Sequence, residues 1–274
     1  MTYNILEPSA LDYFPCRYGT SKLVFRGPVR NLGSPYVAFV GGTQTYGKFI
    51  EQPYPLKVEH LTGVKSLNFG QVNAGLDVFL KEDFVLEVAR GARVTVLEVL
   101  GAANLSSRLY TVHTRRNDRF LHPSAELQRL YPDTDFTQFN FTGHMLSYLY
   151  DQDRERFGIV RDILQRVWKR RMRKLLEQIG PQVVLLRFAT EGADQNSPSG
   201  GQGGPLLVTD AMLDSLRDSV CAVVDLVVPT NTDDAARTGM VFGPFEEEAA
   251  RAVAPPELHT QAAAALRPLL DRLM

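Results

Sequence analysis

Five short apolar runs divide this chain, and three of them end in turns of small residues. The runs are 36–40, 66–70, 94–100, 183–188 and 222–228, most of them dominated by Val, Leu and Phe. Runs of this length and composition read as buried parallel strands. Helical spacing fills the gaps between them. The pattern predicts a helix beginning at 43–51 and ended by Pro53 and Pro55, and another at 76–91, where Leu76, Phe79, Leu80, Phe84, Val85 and Val88 recur on one face. The strongest amphipathic pattern lies at 151–179, with Ile163, Leu164, Val167, Leu175 and Leu176 on one face, arginines and lysines on the other, and Gly180-Pro181 as a stop. Helices are also expected at 209–219, capped by Thr209 or Asp210, and at 259–273, burying Ala263, Leu266, Leu269, Leu270 and Leu273. Strands alternating with helices imply a parallel sheet with right-handed crossovers.

Two segments fall outside this rhythm. Residues 1–35 form an arm in which Pro8, Pro15, Pro28 and Pro35 forbid a long helix. Its Tyr13, Phe14, Tyr18 and Phe25 suit packing on the domain or on a second subunit, hence a homo-oligomer through the arm. Residues 105–157 read as an aromatic- and arginine-rich insertion after the third strand. Loops are expected at 191–204 and 229–256.

Bulk composition narrows the function classes. The 274 residues are enough for a sizeable core, and 30 basic against 31 acidic residues give no overall pull toward nucleic acid. The first residues lack a basic segment followed by an apolar one, and no run approaches the roughly 18 apolar residues of a membrane span. Cys16 and Cys221 are too far apart in sequence to suggest a zinc motif or a disulfide framework. Cytoplasmic residence is the default expectation. The five histidines have no short ligand spacing, so neither a metal nor a cofactor is expected.

Candidate chemistry gathers where strands end. Ligands of open α/β sheets bind at the carboxyl ends of strands. The turns here are Val40-Gly-Gly-Thr43-Gln-Thr-Tyr-Gly47, Val72-Asn-Ala-Gly75 and Gly101-Ala-Ala-Asn104, with a histidine far downstream at Pro256-Glu-Leu-His259. Taken together, the four blocks resemble the SGNH (GDSL-type) hydrolases, a family of esterases, lipases and O-acetyl-group enzymes. The resemblance implies a three-layer α/β/α fold with a mainly parallel five-stranded sheet, and one SGNH-like domain over 36–274. It places Thr43 where the family has its nucleophilic serine, His259 at the base, and Gly75 and Asn104 at the oxyanion donors. Gly42 replaces the aspartate of the first block, Asn104 comes one residue late, and Pro256 replaces the aspartate before the histidine. Glu257 or a backbone carbonyl would then have to orient His259. The whole chain also resembles a bacterial family of unknown activity that shares Leu11-Asp-Tyr-Phe-Pro-Cys-Arg-Tyr-Gly19 and Tyr110-Thr-Val-His113.

Each of these residues has a plainer role open to it. The glycines suit tight strand-to-helix turns, Thr43 a helix N-cap, Asn104 a turn cap, and His259 a helix start. A second constellation follows the third strand: Arg108, His113, Arg115, Arg116, Asn117, Asp118 and Arg119. Guanidinium forks there would bind an anionic ligand, with His113 as acid or base, or the charges would only anchor the insertion. The interleaved acids of 151–179 argue for a solvated or subunit-contact face rather than a nucleic-acid surface. Two functions follow: an SGNH-like hydrolase or acyltransferase acting on a small or saccharide-linked ester, or an inactive SGNH-fold binding or assembly protein using the arginines. Sulfuryl or phosphoryl transfer through His113 is a third.

Overall fold

The computed structural model describes residues 11–198, 204–228 and 237–274. Three parts of the expected layout lie outside the described residues: 1–10 of the arm, 199–203 of the first loop and 229–236 of the second. In chain order the elements are β1 (Tyr36–Gly41), α1 (Thr43–Tyr46), α2 (Tyr54–Thr62), β2 (Lys65–Gly70), α3 (Leu76–Phe79), α4 (Asp83–Gly91) and β3 (Val94–Glu98). The insertion supplies β4 (Tyr110–Val112), β5 (Phe120–Pro123), α5 (Ala125–Leu130) and α6 (Thr142–Gln152). Then come α7 (Arg154–Ile179), β6 (Val183–Thr190), α8 (Asp210–Asp214), β7 (Ala222–Val228), α9 (Glu247–Arg251) and α10 (Pro256–Leu273).

Five strands form one parallel sheet in the order β2-β1-β3-β6-β7. Alternating side chains feed two cores. Ala38, Val40, Leu67, Leu97 and Leu185 face α3, α4 and α7, whereas Val37, Phe39, Val96, Val184 and Leu186 face α2 and α10. The architecture is thus a three-layer α/β/α sandwich: the parallel sheet is the one the pattern implies, and the three layers are those the resemblance implies. The chain steps from β1 outward to β2 and then back past β1 to β3. This reversal opens a crevice at the carboxyl ends of β1 and β3.

Several boundaries differ from the expected ones for local reasons. The helix expected over 43–51 is a single turn, because Gly47 adopts a left-handed conformation at its end (φ 73°). Pro53 and Pro55 do not end that helix; they open α2, where a missing first-turn N–H has no helical partner to lose. The long amphipathic helix begins at Arg154, because Asp153 is extended and its side chain accepts the Arg156 N–H (2.9 Å), which separates α7 from α6. The described part of the arm packs on its own chain: Phe25 and Tyr18 meet Phe69 edge-on, at 5.0 and 5.6 Å. Buried Arg26 donates to the carbonyls of Tyr46, Gly47 (2.6 Å) and Glu51 (2.8 Å) and so holds the path from α1 to α2.

Candidate functional site

The crevice at the ends of β1, β2 and β3 has a volume of about 520 Å³, a size suited to a small molecule. Its wall includes Thr43, Lys48, Asn73, Glu98, Asn104 and Leu206. Glu98, the last residue of β3, holds the first turn in place. Its Oε2 accepts the Gly42 N–H (2.8 Å), the Thr45 N–H (2.9 Å) and the Thr45 hydroxyl (2.5 Å). With its own proton donated to Glu98, Thr45 Oγ1 accepts the neighbouring 2.7 Å contact from the Tyr54 hydroxyl. Burial raises the Glu98 pKa, while the Thr45, Gly42 and Gln44 donors oppose that rise. Gly41 has to be glycine, since a Cβ there would lie 2.0 Å from Thr45 Oγ1. Glu98 is absent from the sequence candidates, although a lone acid within the apolar run 94–100 is a signal that marks it.

Thr43 and Asn73 form a reciprocal pair. Thr43 Oγ1 accepts the Asn73 N–H (2.9 Å) and donates to Asn73 Oδ1 (3.2 Å). Asn73 sits in the left-handed region (φ 56°), which asparagine tolerates better than most residues. Its Nδ2 donates to Asp118 Oδ2 (3.0 Å), which ties the second turn to the insertion. Asn104 closes the group: its Nδ2 donates to the Asn73 carbonyl (3.3 Å), and its Oδ1 accepts from the Thr142 hydroxyl (2.6 Å). Thr43, Asn73 and Asn104 thus share one polar wall.

Gly75 and His259 do not join that wall. The Gly75 N–H, expected to face an oxyanion, donates instead to Asn117 Oδ1 (3.0 Å), which also takes the Val78 N–H (3.2 Å). The cause is that Gly75, at the start of α3, has no side chain to cap that turn, so Asn117 caps it from the insertion. Fully buried Asn117 also donates to the His113 carbonyl (2.9 Å). A Cβ on Gly75 would lie 1.8 Å from the Asn104 carbonyl, so glycine is what lets the second and third turns touch.

His259 is 0% exposed. It lies inside α10 rather than at its start, on the stripe with Ala262, Ala263, Leu266 and Leu270 that packs between α2 and the sheet. Its ring stacks on Tyr54 (5.9 Å between centroids, 23° between planes), and Nδ1 accepts the Tyr54 N–H (3.1 Å). The ring proton therefore sits on Nε2. Burial lowers the pKa to about 3, with Arg26 and Lys57 adding like-charge repulsion. The imidazole does not line the crevice, and the Thr43 hydroxyl pairs with Asn73, not with it.

The arginine constellation is dispersed. Exposed Arg108 pairs with Glu126 (3.3 Å), Arg119 stacks on Phe141 (4.3 Å), and Arg115 and Arg116 are exposed. His113 Nδ1 accepts the N–H groups of Arg115 (3.3 Å) and Arg116 (3.2 Å), the work of a turn-forming residue. Among the described residues no group of three or more His, Cys, Asp or Glu could hold a metal, and no helix is long and apolar enough to cross a membrane.

A family model described as a domain of unknown function, DUF6473, matches residues 1–274. The chain belongs to the DUF6473 family. No curated protein matches it. Among solved structures it is similar to the lipase Lip_vut3 from a goat rumen metagenome, with 14% identity, 86% of this chain and 97% of that chain covered, and a TM-score of 0.38. That likeness is too loose to bear on mechanism.

Proposed function

We propose that the crevice walled by Thr43, Asn73 and Asn104 binds a small polar ligand, of the ester-bearing or saccharide-linked kind, without covalent turnover. The observation that carries this reading is the proton of Thr43. Nucleophilic attack needs a base to take that proton. Here it is donated to an amide oxygen, Asn73 Oδ1, while His259 is sealed in the core with a depressed pKa. Carbonyl, amide and hydroxyl groups in a crevice of this size are what a polar uncharged ligand requires.

A second reading, hydrolysis or acyl transfer on an ester, draws on the placement of Thr43 after β1 beside Asn104 after β3. Those are the positions that the SGNH resemblance gives to the nucleophile and an oxyanion donor. Two assays separate the readings. Saturation-transfer NMR with 6-O-acetylglucose should give a signal with the wild type that falls several-fold in Asn104→Ala. With p-nitrophenyl acetate, wild type, Thr43→Ser and Thr43→Ala should all turn over at the rate of buffer. A Thr43→Ser rate at least tenfold above buffer, abolished in Thr43→Ala, would install the second reading.

A further inference from the structure

A second depression, of about 660 Å³, lies between the segment after β3 and the outer face of α7. Its lining joins Ser106, Ser107 and Arg108 to Arg166, Arg170 and Arg171, over an apolar floor of Ile163 and Val167. The charges are unevenly satisfied. Arg171 pairs with Asp77, whose Oδ2 also takes the Ser106 N–H (3.0 Å). Among the described residues, Arg108 has only the partly buried Glu126 as an ion-pair partner, at 3.3 Å. Exposed Arg166 and Arg170 have no ion pair among the described residues.

The sequence suggested acids interleaved along this whole face. Ion pairs do occupy its beginning, at Arg156–Asp153 and Arg161–Asp162, but 165–174 contains Arg166, Lys169, Arg170, Arg171, Arg173 and Lys174 and no acid. Like charges four apart on a helix repel and destabilise it. A bound anion between Arg166 and Arg170 would relieve that repulsion. The serines complete the donor set. Ser106 Oγ accepts the Val112 N–H (3.1 Å) and Ser107 Oγ the Leu109 N–H (3.1 Å), so each hydroxyl keeps its own proton to donate.

We propose that this groove binds a phosphoryl or sulfuryl monoester group. Arg166 and Arg170 grip the tetrahedral oxyanion with their guanidinium forks, Arg108 closes from the opposite wall, and the two serine hydroxyls donate from the same side. Val167 and Ile163 lie beneath the ligand's apolar portion. This site is independent of the crevice reading.

The test is calorimetry of the full chain with pyrophosphate and with sulfate at 50 and 200 mM NaCl. At least one anion should bind, at least tenfold more weakly to Arg166→Ala/Arg170→Ala and several-fold more weakly to Arg166→Lys, which keeps the charge and loses the fork. Arg173→Ala/Lys174→Ala, which removes two charges outside the groove, should bind as the wild type does. Absence of binding by both anions overturns the proposal. So does equal weakening in the two double variants, because it would mark a diffuse basic field for polyanions rather than a site.

Discussion

Acidification from pH 7 to pH 4.5 is expected to remove about 3 kcal/mol of folding stability through His259 alone. The sign follows from where the proton binds. Above about pH 6.5 the imidazole is neutral in both states and costs nothing. Between 6.5 and about 3 the unfolded chain takes up a proton that the folded chain refuses, because the ring is buried against Tyr54 and Phe188 with its Nδ1 occupied. Stability then falls by about 1.4 kcal/mol per pH unit and levels off below the folded value. Urea unfolding at both pH values checks this. His259→Phe keeps the aromatic volume and removes the titration. Its loss between pH 7 and 4.5 should be smaller than that of the wild type by about 3 kcal/mol. An unchanged difference would mean that His259 is protonated readily in the fold.

Asn117→Ala should be the most damaging substitution near the crevice, costing about 3–5 kcal/mol. One buried amide serves donors and acceptors together. Its loss strands the Gly75 N–H and the His113 carbonyl and leaves the Val78 N–H only its long 3.3 Å bond to the Gly75 carbonyl. For a chain of this size the melting temperature should drop by about 10 °C. Hydrogen exchange adds a readout of position, since the Gly75 and Val78 amides should exchange faster by orders of magnitude than those of β6. A shift of only 1–2 °C would show that the contacts are dispensable.

The sheet was legible because its signals are local. Each apolar run became a strand, and the small residues after the first three marked the turns that border the crevice. The features the pattern does not show depend on contacts between distant segments. Proline reads as a helix breaker, yet Pro53 and Pro55 start α2, because only the first turn of a helix tolerates the missing N–H. His259 resembled a surface base at a helix start. Its place on the stripe shared with Ala262, Ala263 and Leu266 became decisive only once α10 began at Pro256. Its sequence neighbours group Asn117 with an anion site, but in the fold it caps a helix more than thirty residues earlier in the chain. No pattern in a single sequence announces such a pairing. The arginines illustrate the same point: sequence adjacency grouped Arg108 with Arg115 and Arg116, whereas the fold sets it across from Arg166 and Arg170.

In the binding reading, Thr43 presents a bound hydroxyl rather than an activated nucleophile. A fluorophosphonate probe tests it most directly, since the reagent derivatises hydroxyls whose proton a base removes. After incubation of the full chain at pH 7.5, intact-mass measurement and peptide mapping should find no adduct on Thr43. A stoichiometric adduct at Thr43 that disappears in His259→Phe would overturn the binding reading and restore the nucleophile–base pair.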